Sequence, residues 1–146
     1  MSREHLYKAK RVNWEELPKD EWWVYGYYAE IGEKSTIIER KYDTVCFVNG
    51  KAGKGNEVIE VHPETVCEYT GLSDVNGKRF EGDIFQADNG ECTQIYIIVW
   101  DDQCLEWYAE CIGDPDGTLP LCEFRVDEIE VIGNIFDNLG NIFGNS

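Results

Sequence analysis

Histidine, proline and methionine are scarce in this chain, and its second half has almost no positive charge. Of 146 residues, four are Pro, two are His and one is Met, which leaves little material for proline-rich linkers or imidazole metal sites. No apolar run approaches the roughly 18 residues of a membrane helix. The opening MSREHLYKAKRVNWEELP is charged throughout and has no apolar h-region, so neither secretion nor membrane contact is expected. A reducing cytoplasm is the expected location, and Cys46, Cys67, Cys92, Cys104, Cys111 and Cys122 are expected as free thiols. None of them forms a C-x-x-C pair, the pair Cys104 and Cys111 stands seven apart, and His5 and His62 are the sole imidazoles. No metal or other cofactor is expected.

Positive charge is concentrated at one end. Residues 1–55 hold ten Lys and Arg against nine Asp and Glu, whereas residues 56–146 hold three against twenty, giving net charges of +1 and −17. From Phe80 onward the sole cation is Arg125, so a phosphate backbone is repelled there and direct nucleic-acid binding is not expected. The same charge suits a basic host protein as partner, or mimicry of nucleic acid toward a protein that binds it. Aromatics at 13%, with five Trp and eight Tyr, exclude a disordered acidic tail and imply a packed core.

Helical signals are nearly absent. NWEELPKDEW makes a single turn before Pro18 interrupts it, and thereafter the chain reads as strands at 21–31, 35–40, 43–48 and 57–62, rich in β-branched and aromatic residues. In the first of these Trp23, Tyr25 and Tyr27 share one face, and Trp22, Val24 and Tyr28 share the other. Both faces need cover, which predicts a central or interfacial strand. The second half repeats the pattern at 83–88, 92–101, 105–111, 122–126 and 128–136, a spacing that fits a small, strongly bent antiparallel barrel.

Two loops imitate known motifs without completing them. In NGKAGKGNE, Gly50 and Gly55 have the separation of a phosphate loop, but Asn56 and Glu57 occupy the places of its Lys and Ser or Thr. It reads as a hairpin loop solvated by lysines. Asp114, Asp116 and Gly117 resemble the start of a calcium loop, yet the glycine arrives two positions early. This is an Asp-Gly turn.

The densest punctuation lies in EYTGLSDVNGKRFEGDIF (68–85). Asn76-Gly77 predicts a type I′ hairpin with positive φ at both residues, Asp74 is placed to bond the backbone ahead of it, Gly82 marks a kink, and Asp83 is placed to satisfy freed N–H groups. With Tyr69, Thr70 and Gly71 these residues form a structural motif that asks for no ligand. This stretch, VHPETV (61–66), the VWD strand (99–101), EVIGNIF (130–136) and the aromatic WVYGYY near the start together resemble the YopX family of phage and prophage proteins over roughly residues 5–137. The resemblance implies a mainly β protein with N-terminal antiparallel strands (1–66) and an SH3-like β-barrel (67–137), in a bacterial host cytoplasm; residues 138–146 are expected as a loose tail, as termini commonly are, with docking of Ile142 and Phe143 on a neighbouring chain as the alternative. The resemblance implies no activity. The chain departs from the family pattern by repeating GNIF at 133 and 140.

Catalysis finds little support. No spacing singles out a carboxylate pair for acid–base work, His62 stands before Pro63 at a strand end, and no serine lies in G-x-S-x-G. The expected role is a self-associating, homo-oligomeric protein-interaction module whose surface is Trp100, Trp107 and Tyr108, because Trp and Tyr dominate interface hot spots. The same three residues also suit a barrel core. An acidic nucleic-acid mimic is the alternative, and an unrecognised small-molecule or hydrolytic activity is the second.

Overall fold

A computed structural model describes residues 5–48, 51–88 and 91–137. The chain divides into two compact units, Met1–Glu68 and Tyr69–Ser146, two residues beyond the boundary expected from the sequence. The tail at 138–146, with the second GNIF copy, lies outside the described residues.

The N-terminal unit is an antiparallel sheet of β1 (Tyr7–Lys10), β2 (Trp23–Ile31), β3 (Lys34–Val48) and β4 (Lys51–Glu60), in the order β4-β3-β2-β1. β2 lies inside the sheet, between β3 and β1, but of its two apolar faces one is packed in the core and the other is left half-exposed. One face carries the core, Ala9, Val24, Ile37, Ile59 and Val61, with Tyr7, Tyr28 and Val66 packed against it. The NWEELPKDEW stretch forms two single 3-10 turns, Trp14–Glu16 and Lys19–Glu21.

β1 escaped the sequence reading. Its YKAK alternates Tyr7 and Ala9 toward the core with Lys8 and Lys10 on the other face, where both lysines are buried, at 7% and 5% exposure. Tryptophan rings cover them. The Lys10 ammonium lies 3.8 Å from the centroid of Trp14 and 4.6 Å from that of Trp22, and the Lys8 ammonium lies 4.8 Å from that of Trp23. Cation–π attraction compensates for lost hydration. NGKAGKGNE is a second correction, since Lys51–Glu57 is strand rather than flexible loop. β3 and β4 continue as a ladder through Val48↔Lys51, because a ladder needs backbone groups from its partner and tolerates glycine.

Strand β5 (Cys67–Asp74) begins beside β1, with Lys8↔Cys67 and Tyr7↔Glu68, and its later residues pair with β6 (Gly77–Phe80). The remaining strands, β7 (Asp83–Asp88), β8 (Thr93–Asp101), β9 (Glu106–Cys111), β10 (Leu119–Pro120) and β11 (Glu130–Asn134), form a second antiparallel sheet ordered β10-β9-β8-β7-β11. Its core is Phe85, Ala87, Tyr96, Ile98, Ala109, Cys111, Leu121 and Ile129. Phe85 stacks on Tyr96 at 5.2 Å, and Phe124 meets both rings edge-on.

This sheet is not closed into a barrel among the described residues: β10 and β11 are its edges. The strand expected at 122–126 is replaced by 3-10 turns at Leu121–Glu123 and Val126–Glu128. Two backbone carbonyls in this segment, those of Val126 and Ile129, accept from the buried Arg79 guanidinium at 3.2 Å each. Carbonyls held this way are lost to a strand ladder.

Candidate interaction surface

The glycine-rich motif is an anchor of the C-terminal unit. Tyr69 and Phe80 are buried and pair directly, their rings 5.6 Å apart. The Thr70 hydroxyl donates to the carbonyl of Arg79 at 2.8 Å and accepts from the N–H of Leu72 at 3.1 Å. Gly71 takes φ 94°. Asp74 accepts the N–H of Asn76 at 2.8 Å and pairs with Arg79 at 3.1 Å.

The hairpin itself differs from the type I′ expectation. Asp74 pairs with Gly77, so Val75 and Asn76 occupy the centre of the turn, and Gly77 takes φ 123° while Asn76 is not among the positive-φ residues. The centre of the turn thus falls one residue earlier than predicted, and of the two positive-φ residues expected only Gly77 has one, where glycine tolerates it. Asp74 at the first turn position favours this form. Gly82, at φ 83°, makes the expected kink, fixed by its N–H on Ile98 O at 2.8 Å and its carbonyl under the Ile135 N–H at 3.0 Å. Asp83, 3% exposed, accepts the N–H of Phe80 at 2.8 Å.

Trp100, Trp107 and Tyr108 do not form one surface. Trp100 and Trp107 sit directly opposite each other on β8 and β9, their rings edge-to-face at 5.0 Å, on the face that carries Ile98 and Ala109. Trp107 packs against the core. Tyr108 faces the other way, opposite Val99 and Pro120, as strand alternation requires. Its hydroxyl pKa is raised, mainly by a hydrogen bond with the Cys104 side chain. At the turn between these strands, the Asp101 carboxylate accepts from the N–H groups of Gln103 and Cys104 at 2.9 and 3.2 Å. The next residue, Leu105, holds φ 53° and is 73% exposed.

Cys111 is the buried thiol of the C-terminal unit's core. Burial, then the charges of Asp114 and Cys92, push the Cys111 thiol up, and a protonated thiol is inert. Among the described residues, no three His, Cys, Asp or Glu side chains are placed to hold a metal.

The exposed aromatic surface lies instead on the N-terminal unit. Opposite to its core face, β2 displays Tyr25 at 49%, Tyr27 at 45% and Ile31 at 52% exposure. Tyr27 stands across from Ile38 of β3, and Ile38 across from Val58 of β4, itself 54% exposed. A row of three apolar side chains therefore crosses the sheet to its edge. Beside it a cavity of about 420 Å³ has Trp23 and Tyr25 in its wall and Arg11, Asp20, Glu21 and Glu39 around them. Aromatic and charged side chains lining one depression are the mixture that protein interfaces use. The alternation that exposes these residues was legible; which face would be left uncovered was not, because that depends on β1 and the tryptophan turns.

Such features define a mainly β protein of two antiparallel sheets, anchored by a buried arginine and offering an aromatic face to solvent. The YopX protein family matches over residues 19–141, and the chain belongs to that family. No curated protein and no solved structure matches it.

Proposed function

We propose that this chain is a phage- or prophage-encoded accessory protein of the bacterial cytoplasm that acts by binding rather than catalysis, as a self-associating protein-interaction module. Its C-terminal unit is read as a rolled sheet of the SH3-like kind. The reading rests on the exposed row Tyr27–Ile38–Val58, flanked by Tyr25 and Ile31. Exposed tyrosines and β-branched residues gathered on one sheet face mark contact sites. Charge supports the second copy as partner. Tyr25, Tyr27, Ile31 and Ile38 of that face lie in residues 1–55, at net +1, and Val58 just beyond them, so copies that meet there keep most of the −17 of residues 56–146 away from the contact.

Sedimentation velocity over a concentration series is the test. The wild type is expected to assemble, and Tyr27→Ser/Val58→Ser to remain monomeric with unchanged far-UV circular dichroism. A wild type that stays monomeric throughout, or a double variant that assembles as before, sinks the reading. The −17 segment favours a second reading, an acidic mimic of nucleic acid that occupies a basic host protein. Its mark is capture of a purified DNA-binding enzyme at low salt and release at high salt, with no effect of the Tyr27/Val58 changes.

A further inference from the structure

The C-terminal sheet has a second face, and it carries apolar side chains that the core cluster does not use. Alternation along β8 sends Tyr96, Ile98 and Trp100 toward the core side and Ile95, Ile97 and Val99 the other way. Cross-strand pairing widens this stripe onto β9, where Tyr108 stands opposite Val99, with Pro120 of β10 beyond it. All five of these outward residues are partly exposed.

Carboxylates frame the stripe. Asp101 and Glu106 stand opposite each other at one end of the β8–β9 ladder, Glu110 stands opposite Ile97, and Glu130 lies across Gln86 from Ile95. The segment that builds β7 to β10, residues 83–120, holds nine Asp and Glu and no Lys, Arg or His. The three cations of this unit are engaged elsewhere: Arg79 is buried, the Lys78 ammonium lies 4.7 Å from the ring centroid of Tyr69, and Arg125 pairs with Asp127 at 2.8 Å. Like charges directly opposite on neighbouring strands destabilise a sheet. Asp101 does receive two backbone N–H groups at its turn, but these are dipoles and bring no counter-charge.

We infer that this face docks a basic segment of a partner protein, with lysine or arginine groups set against Asp101, Glu106, Glu110 and Glu130 and apolar side chains set against Ile97, Val99 and Tyr108. Charge selects the occupant. Nucleic acid and anionic lipid are repelled, and the same face of a second copy would bring the same carboxylates. A polyamine or metal ion would meet the charge and leave the apolar stripe uncovered, whereas a basic peptide segment with apolar side chains meets both. The inference is independent of the self-association reading, which uses the N-terminal sheet. It also differs from nucleic-acid mimicry, in which carboxylates spaced like phosphates act without an apolar stripe between them. Of the three contact residues expected from the sequence, Tyr108 is the one that lies here.

Fluorescence anisotropy with two labelled probes at physiological salt tests the docking face. One probe is a short peptide of lysines interspersed with leucine and valine, and the other is an oligolysine of equal charge. The wild type is expected to bind the mixed peptide about tenfold more tightly than the oligolysine. Glu106→Lys/Glu110→Lys is expected to weaken that binding about tenfold or more, and Glu15→Lys/Glu16→Lys, an equal change of net charge on the N-terminal unit, to weaken it less than about threefold. Ile97→Ser/Val99→Ser, with unchanged far-UV circular dichroism, is expected to bring the mixed peptide down to the level of the oligolysine. Tyr27→Ser/Val58→Ser is expected to bind as wild type does. Glu110 is exposed and Glu106 partly so, so the charge-reversed pair decides the matter even where the serine variant does not fold. Equal binding of the two probes by the wild type means a surface that only exchanges ions, and overturns the inference. Equal losses in the two charge-reversed variants, or no binding of the mixed peptide at all, overturn it as well.

Discussion

Arg79→Ala is expected to destabilise the C-terminal unit by about 3–5 kcal/mol, the cost of breaking a buried ion pair from one side. Arg79 is 3% exposed and is one of three cations, with Lys78 and Arg125, in a strongly acidic unit. Its Nε donates to Ile129 O at 3.2 Å, Nη1 to Gly77 O at 2.5 Å, and Nη2 to Val126 O at 3.2 Å and to Asp74 Oδ1 at 3.1 Å. Truncation strips four acceptors of a donor together, one of them a carboxylate at 16% side-chain exposure. Lysine recovers little, since a single ammonium cannot reach the spread that the planar fork covers. Arg79→Met/Asp74→Asn is expected to be less damaging than Arg79→Ala, because the unpaired negative charge goes with the guanidinium. Urea unfolding, with hydrogen exchange at the Tyr96 and Ile98 amides as the local probe, measures it. A loss below about 1 kcal/mol in Arg79→Ala would mean that the carbonyls find other donors and that the arginine is not the anchor.

The role of Arg79 was hidden in the sequence for a physical reason. Its acceptors at Val126 and Ile129 are backbone carbonyls 47 and 50 residues away, and a carbonyl has no residue type to betray it. The same gap misplaced the strand at 122–126, where CEFRV has strand composition but long-range bonds hold its neighbours in 3-10 turns. Local signals were read better. The alternation in β2, the kink at Gly82 and the capping role of Asp83 all follow from properties of one or two residues.

Errors arose where composition and geometry part company. Glycines and lysines in NGKAGKGNE suggested a loop, yet from Lys51 onward a ladder partner with strand propensity carries them as strand; Asn49 and Gly50 lie outside the described residues. Asn-Gly at 76–77 serves both a type I′ turn and a type I turn followed by a positive-φ glycine, and one residue of register separates the two. β1 was overlooked because lysines at 8 and 10 read as solvent-facing; the tryptophans that cover them arrive from the turns at 14–22. At the candidate surface, adjacent positions 107 and 108 of a strand must point to opposite faces, so treating Trp107 and Tyr108 as one patch conflicted with a rule available from the sequence. The face of Tyr25 and Tyr27 was recognised as needing cover, and in the structure both rings stand about half-exposed.

Trp107 separates core from contact, and its two substitutions are expected to diverge. Trp107→Ala should cost the C-terminal unit about 3 kcal/mol, the low end for losing a large aromatic, since the side chain is only partly enclosed. Trp107→Phe should cost less than about 1 kcal/mol. The difference lies in one atom. The indole Nε1 is fully buried and finds no hydrogen-bond acceptor among the described residues, and an unsatisfied buried donor costs about 1–3 kcal/mol. Phenylalanine removes that donor while keeping a ring against the core cluster and against Trp100, now 5.0 Å away. What it loses in buried area is offset by the penalty it abolishes. If Trp107 were a hot spot of an interface, the pattern would reverse: Phe would weaken assembly in sedimentation velocity while leaving the urea midpoint unchanged, because the indole N–H would find its acceptor on the partner. Equal destabilisation by Ala and Phe would show that the nitrogen is already satisfied, and would return Trp107 to the list of residues whose polar edge has a use.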